Sequence, residues 1–145
     1  MRPDTTGGVA GYGVLTLDAS PDGDFTNGIY IDVLSSGYWY AGLRIGGGGY
    51  QELARTAPVA YGVPQHLMAV YDPDASPNFK FYVDGILINS GNASGTLPTM
   101  TRVAIGTMAA RGSDSSKIHI RDVRISNIAR DASYALSSAN ALLSL

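Results

Sequence analysis

Hydrophobic and polar residues alternate with a period of two along several short segments of the chain. A strand places successive side chains on opposite faces, so this period predicts half-buried β-strands. The segments with this alternation, or with a comparable run of β-favouring residues, are 13–20, 28–35, 38–46, 65–73, 79–89, 102–109 and 116–128. Turn-favouring residues follow several of them, as at 20–27 and 72–78. The pattern predicts an all-β chain of many short strands.

The segments 28–35 and 38–46 predict each other's register. With Ser35-Ser36-Gly37 as a three-residue hairpin loop, each apolar residue meets an apolar partner across the hairpin. The cross-strand pairs are Val33–Trp39, Ile31–Ala41 and Ile29–Leu43, with Asp32–Tyr40 on the other face. A slip of one residue would place apolar residues against polar ones, so this register is the favoured one.

Three further features complete the predicted elements. Asp84-Gly85 lies between two β-favouring runs and predicts a tight hairpin turn. In 116–128 the apolar alternation changes phase at Arg121-Asp122, which predicts a β-bulge. The residues after Arg130 predict a short helix with Asp131 as its N-cap. The apolar positions of that helix are Tyr134, Leu136, Ala139 and Leu142 or Leu143.

Many short strands separated by turns predict a two-sheet antiparallel sandwich. With 145 residues the chain is long enough for one domain with its own core, so we expect a single domain over residues 1–145. The residues expected in the core are Ile29, Ile31, Val33, Trp39, Leu43, Leu67, Val70, Phe81, Val83, Ile120, Val123 and Ile125.

Four motifs from Gln65 onward occur in an order found in one family of jelly rolls. They are QHLMAVYD (65–72), FKFYVDGILINSG (79–91), GTLPTMTRVAIG (95–106) and KIHIRDVRISNIARDASYALSSANAL (117–142). Their order resembles that of laminin-G-like domains of the concanavalin A-like lectin and glucanase family. The resemblance implies an all-β, two-sheet antiparallel jelly-roll sandwich that serves in binding, with a short C-terminal helix.

Two features depart from the family pattern. Pro64 occupies a position where such domains often have tryptophan, and the strand pattern begins later than in relatives of this fold. The first strands are therefore expected to be degenerate, absent or supplied by a neighbouring chain.

The composition argues against most catalytic and metal chemistry. Glycoside hydrolysis normally uses two carboxyl groups, and the chain has a single glutamate, Glu52. The chain has no cysteine, and its two histidines, His66 and His119, are expected to be structural or surface residues. We therefore expect no enzymatic activity and no cofactor. Calcium is common among relatives, which leaves Asp72 and Asp74 as weak calcium candidates, although ordinary turn aspartates are favoured there.

The alternation also assigns an outward-facing set of side chains to the hairpin. Aromatic faces pack against sugar rings, and Asp or Arg can hydrogen-bond sugar hydroxyls. The candidate face for a glycan or a protein partner is Tyr30, Asp32, Tyr38, Tyr40 and Arg44. The alternative is a face that is merely solvated, or covered by a loop or by a neighbouring subunit.

The partners follow from charge and from hydrophobic content. A net charge of −2, with 15% charged residues, predicts neither nucleic-acid nor membrane binding. The N-terminal residues lack the apolar run of a secretory signal, so we expect no export by a signal of this chain. Together with the family's use, this favours a bacteriophage virion surface protein, either a capsid decoration protein or a tail-fibre module. Its expected partners are further copies of itself or other virion or surface proteins, and carbohydrate. The alternative is a carbohydrate-binding module of a secreted or cell-surface bacterial protein.

Overall fold

The computed structural model of the chain describes residues 11–19, 27–34, 36–46, 51–106 and 119–144. The strands are β1 (Gly11–Asp18), β2 (Gly28–Leu34), β3 (Tyr38–Arg44), β4 (Gln51–Pro58), β5 (Leu67–Tyr71), β6 (Phe79–Val83), β7 (Ile86–Gly91) and β8 (Arg102–Ile105), and the helix is α1 (Ala132–Leu143). The strands form an antiparallel sheet of five, in the order β4-β3-β2-β1-β8, and another of three, in the order β5-β6-β7. The predicted fold class is confirmed.

The predicted register of the β2–β3 hairpin is confirmed pair by pair. Val33 lies opposite Trp39, Ile31 opposite Ala41 and Ile29 opposite Leu43. The Gly37 N–H closes the loop by donating to the Leu34 carbonyl at 2.9 Å. The match between apolar side chains therefore identified the register of this hairpin correctly.

The strand β4 is one that the alternation does not predict. It pairs with β3 through an irregularity between Trp39 and Ala41, and it ends at Pro58. It is the outermost strand of the described sheet on that side. Proline has no N–H to donate to a ladder, which makes an edge strand a favourable place for it.

In the three-stranded sheet, the β6–β7 hairpin turns at Asp84-Gly85 as predicted. Both residues have positive φ, 52° and 78°, as a type I′ turn requires. Gly85 is also constrained by its surroundings, because a Cβ there would lie 2.7 Å from the Leu136 Cα. The turn therefore needs glycine for its backbone angle and for the close approach of α1.

The helix α1 begins at the predicted cap, and its buried face agrees with the predicted one at Ala139 but not at Leu136. The Asp131 carboxylate accepts the Tyr134 N–H at 2.8 Å. The buried side chains are Ala135 and Ala139, whereas Leu136 is exposed. Ala135 packs with Val70 and Tyr82. The prediction that Leu136 belongs to the apolar face is wrong, because the small alanines allow the helix to approach the sheet closely.

The predicted strand and β-bulge in 116–128 are wrong for the described part, 119–128, which has no regular secondary structure. Ile120, Val123 and Ile125 are exposed, at 38%, 36% and 54%, so their assignment to the core is also wrong. The phase change at Arg121-Asp122 provides a physical reason. No single face collects more than two of the apolar side chains, so extended chain here lacks an amphipathic surface to bury.

The remaining core assignments agree with the structure to different degrees. Ile31, Trp39, Leu43, Val70, Phe81 and Val83 are buried, whereas Ile29, Val33 and Leu67 are half-buried.

The chain divides into two compact units. The first comprises Met1–Val59 and Gly95–Ile120, and it contains the five-stranded sheet. The second comprises Ala60–Ser94 and Arg121–Leu145, and it contains the three-stranded sheet and α1. Organisation as a single domain stays a prediction. In the described part of the chain, no helix has the length and apolar character needed to cross a membrane.

Candidate functional site

Three of the five residues assigned to the outward-facing set are buried. Tyr30 is 1% exposed, Asp32 1% and Tyr40 7%. The Tyr30 hydroxyl donates to the Tyr40 hydroxyl at 3.1 Å, and the two rings lie 5.4 Å apart at an angle of 49°. Leu34 joins them in a small cluster. The prediction that these three side chains face solvent is wrong.

The physical reason is that alternation identifies which side chains share a face, but not what lies against that face. Both faces of the β2–β3 hairpin are buried, since Trp39 and Leu43 on the other side are also covered. Tyrosine is compatible with either environment, because it has a large apolar ring and one polar atom.

Gly42 shows how tightly the Tyr30 ring is held. Gly42 lies directly across from Tyr30 in the hairpin. A Cβ at Gly42 would lie 2.5 Å from the ring carbon that carries the hydroxyl, far inside van der Waals contact. The tyrosine therefore occupies the space that a side chain at Gly42 would need.

The two remaining residues of the set do not form a common surface. Tyr38 is 38% exposed and Arg44 is half-buried. They lie at opposite ends of β3, six residues apart, which corresponds to roughly 20 Å along a strand. A binding role for the five residues stays a prediction, and the structure offers accessible surface for it only at the two ends of β3.

The same face also carries polar residues that sequence reasoning did not single out. Thr16 and Asp18 are fully buried, and Thr16 lies opposite Tyr30 across the β1–β2 pair. Burying a carboxylate or a hydroxyl is costly without compensating polar contacts. This face is therefore a buried polar and aromatic layer. The signal that could have found it is the alternation of Thr16 and Asp18 with Leu15 and Leu17.

The second unit contains a polar cleft of about 130 Å³. Its lining residues are Val70, Asp72, Pro77, Asn78, Lys80, Ala129, Arg130 and Asp131. Val70 and Lys80 lie opposite each other on β5 and β6, and Ala129, Arg130 and Asp131 directly precede α1. The cleft thus combines two cations, two carboxylates and a small apolar surface.

The two carboxylates of the cleft, Asp72 and Asp131, differ in the hydrogen bonds that they accept. Asp131 caps α1, since one of its oxygens accepts the Ser133 hydroxyl at 2.7 Å as well as the Tyr134 N–H. These hydrogen bonds lower the pKa of Asp131 below its ordinary value, with the backbone donor as the larger cause. One oxygen of Asp72 accepts the Asp74 N–H at 3.2 Å, as in an Asx-turn.

In the described part of the chain no ion pair joins the two cations of the cleft to these carboxylates, and the Arg130 charge contributes to lowering the pKa of Asp131. The Arg130 guanidinium lies over the Tyr134 ring, 4.8 Å from its centre. Among the described residues, neither Lys80 nor Arg130 forms an ion pair. Lys80 is half-buried and Arg130 is exposed. Sequence reasoning missed both residues, because neither belongs to a motif with recognised chemistry.

The calcium candidates are Asp72 at the cleft and Asp74, which is exposed. Their shared hydrogen bond is sufficient to explain them as turn residues. Within the described ranges, no group of three or more His, Cys, Asp and Glu side chains is placed to hold a metal ion. Calcium binding therefore stays a prediction.

Three of the motifs converge on His66 in the second unit. The backbone N–H of His66 donates to the Asp84 carboxylate at 2.7 Å. The backbone N–H of Asp84 donates back to the His66 carbonyl at 2.8 Å. Burial lowers the pKa of His66; the Asp84 charge opposes this shift and the Arg124 charge adds to it. Arg124 itself pairs with Asp122 at 2.9 Å. His66 is half-buried and His119 is exposed, and their role as structural or surface residues stays a prediction.

The single glutamate, Glu52, lies in β4 opposite Gly42. Its side chain is outside the described part of the structure. The absence of enzymatic activity therefore stays a prediction.

Comparison with known proteins extends the resemblance beyond the motifs. Searches of curated proteins and of solved structures yield no match to the chain. The family model described as the concanavalin A-like lectin/glucanases superfamily, of the laminin-G type, matches residues 1–134, which is most of the chain and includes its N-terminal half. The two antiparallel sheets and the short helix are consistent with the sandwich of that family. The chain belongs to the concanavalin A-like lectin/glucanases superfamily, which suggests a carbohydrate-binding or jelly-roll module.

Proposed function

We propose that this chain is a non-catalytic jelly-roll module that assembles with copies of itself on the surface of a particle. Bacteriophage capsid decoration proteins and tail-fibre modules are the protein classes that fit this description. The single observation that carries the proposal is the apolar edge strand β8. Its Val103 and Ile105 side chains are both 51% exposed.

Among the residues that the structure describes, β8 has little of the protection that isolated sheet edges usually have. Natural edge strands are commonly blunted by lysine, proline, bulges or covering segments. β8 reads Arg-Val-Ala-Ile, with one charge, and it ends the described five-stranded sheet. Exposed apolar side chains on an unprotected edge favour association.

A second copy of the chain is the occupant that fits this edge best. Antiparallel pairing of β8 with β8 of a partner would extend the sheet and satisfy the outer backbone N–H and C=O groups of both strands. Val103 and Ile105 lie on one face, next to Leu17 and Leu15 across the β1–β8 pair. Two copies would therefore join these four apolar side chains to an equivalent row in the partner.

Sedimentation velocity over a range of concentrations tests the assembly. We expect the wild-type chain to self-associate and the Val103→Lys/Ile105→Lys double variant to stay monomeric, because like charges would repel at the paired edge. The matched control is Ile86→Lys/Leu87→Lys, which changes two exposed apolar residues on β7. Loss of association only in the β7 variant, or a wild-type chain that is monomeric throughout, would refute the proposal.

The location on a virion needs a separate measurement. Particles from a lysate of the source organism can be separated on a density gradient, and the chain can be quantified in each fraction by mass spectrometry. We expect the chain to be enriched in the particle fraction. Recovery only in soluble fractions would instead favour an extracellular module.

Carbohydrate binding is the second candidate function. Family membership and the polar cleft of the second unit support it. A glycan array with the purified chain tests it, and a release assay for reducing sugars on the same glycans tests the absence of catalysis. Release of sugar would contradict the non-catalytic part of the proposal.

A further inference from the structure

We propose that the cleft of the second unit binds the carboxylate and an adjacent hydroxyl of an acidic sugar of the uronic acid class. Lys80 and Arg130 would take the carboxylate, and Asp72 would accept the hydroxyl. This inference rests on carbohydrate binding as the second candidate function, and it is independent of assembly through β8.

Two cations line the cleft. Lys80 and Arg130 line one cleft, and neither pairs with a carboxylate among the described residues. Lys80 is half-buried and lies opposite Val70 across the β5–β6 pair, whereas Arg130 is exposed. A ligand carboxylate would provide both cations with a charge-assisted acceptor.

Two carboxylates line the same cleft. A simple anion would meet the opposing charges of Asp72 and Asp131 in the same lining. Asp131 is committed to the cap of α1 through two hydrogen bonds. One oxygen of Asp72 accepts the Asp74 N–H, and the second has no hydrogen-bond partner among the described residues, so we assign it to the ligand hydroxyl. A ligand that carries a carboxylate and a hydroxyl provides an acceptor for the cations and a donor for Asp72, whereas an anion without a hydroxyl, such as acetate, provides only the acceptor.

The size of the cleft limits how much of the ligand it encloses. Its volume of about 130 Å³ is well below the roughly 300–1,000 Å³ of sites that enclose a drug-sized molecule. The cleft therefore fits one sugar unit that enters by its charged side, such as the end of a chain or a side branch.

Asn78 is fixed by hydrogen bonds within the chain, so this part of the cleft lining is ordered without a ligand. Its side-chain amide donates to the Ala93 carbonyl at 2.9 Å and accepts the Ala93 N–H at 2.7 Å. The Asp72 N–H donates to the Asn78 carbonyl at 2.8 Å. A site that is ordered before binding loses less conformational entropy when a ligand binds than a flexible site does.

The test is a ¹H–¹⁵N NMR titration of the whole chain with glucuronate, with glucose and acetate as separate arms. We expect saturable shifts of the Asn78, Lys80 and Arg130 amides with glucuronate, and an affinity at least about tenfold lower for each of glucose and acetate. Lys80→Gln and Arg130→Gln should each weaken glucuronate binding by about tenfold. Arg121→Gln is the matched control, because it removes an exposed cation that does not line the cleft.

Arg130 is exposed, so its variant keeps the test valid if Lys80→Gln proves unstable. Three results would each overturn the inference: no saturable shift at the cleft with glucuronate, acetate binding as tightly as glucuronate, or equal weakening in Arg121→Gln. The glycan array separates this failure from failure of carbohydrate binding as a whole. A chain that binds neutral glycans but not glucuronate retains the second candidate function and loses only this site.

Discussion

The β2–β3 hairpin and the segment 119–128 are both rich in alternating apolar residues, yet they differ in the outcome of folding. In the hairpin, all three predicted apolar pairs form, and residues on both faces are buried. In 119–128, no regular structure forms, and Ile120, Val123 and Ile125 are exposed. Alternation alone therefore does not decide whether a segment becomes a strand.

The availability of a partner explains part of the difference. The hairpin strands are separated by three residues, so the entropy cost of bringing them together is small, and each fixes the register of the other. No described strand lies within ten residues of the segment 119–128, and its apolar phase changes at Arg121-Asp122. A strand with a broken face and no local partner must gain its stability from distant contacts.

The largest expected effect tests the buried side of this comparison. Trp39→Ala should lower the free energy of unfolding by about 3–5 kcal/mol, because it removes a buried ring and leaves a cavity. Chemical denaturation monitored by circular dichroism measures this change. A loss under about 1 kcal/mol would mean that the hairpin is not packed as described.

The next effect tests how closely the hairpin is packed on its second face. Gly42→Ala should destabilise the chain by about 1–3 kcal/mol, because its Cβ would overlap the Tyr30 ring. In a Tyr30→Leu background the same substitution should cost much less, and a double-mutant cycle of denaturation midpoints measures the coupling. Additive costs would show that the two residues do not touch.

The sequence predicted the parts of the fold that depend on neighbours in the chain. The β2–β3 register, the Asp84-Gly85 turn and the Asp131 cap are all decided within a few residues. The strand β4 was missed, because its residues show little alternation. The match between β2 and β3 pairs only one side of β3, and no pattern in the sequence indicates that β4 pairs with its other side.

The candidate site was harder to predict, for a related reason. Alternation assigned Tyr30, Asp32 and Tyr40 to one face correctly, but exposure depends on what covers that face. The cleft draws Lys80 from β6 and Arg130 from the turn before α1, which are fifty residues apart. No local pattern connects such residues, so only the folded chain reveals them.

The stability of the folded chain should depend on pH through His66. Because the folded-state pKa of His66 lies below 6.5, the folded chain resists protonation more than the unfolded chain does. The contribution of His66 to the free energy of unfolding should therefore be fully present above about pH 6.5. It should be lost as the pH falls towards the lower folded-state pKa. Melting temperatures of wild type and His66→Gln between pH 7.5 and pH 5 measure this, and the variant should show a smaller fall. An equal fall in both would assign the effect to other groups.

The smallest expected effect tests the exposed side of the comparison. Ile125→Ala should change the free energy of unfolding by no more than about 0.5 kcal/mol, because the side chain is 54% exposed. The same denaturation assay measures it beside Trp39→Ala. A cost of about 2 kcal/mol or more would place Ile125 in a core, as the alternation had predicted.

Cysteine cross-linking along β8 tests the central claim, assembly through that edge, most directly. The chain has no cysteine, so single variants at Arg102, Val103, Ala104 and Ile105 provide unique probes. Paired antiparallel strands place opposite Cα atoms about 4.5–5.5 Å apart, within the range that a disulfide spans. The account predicts that oxidation, of single variants or of pairwise mixtures, gives disulfide dimers at one register of β8, and far fewer with cysteine at the exposed Ile86 of β7. No dimer at any β8 position, or equal dimer formation at Ile86, would contradict it.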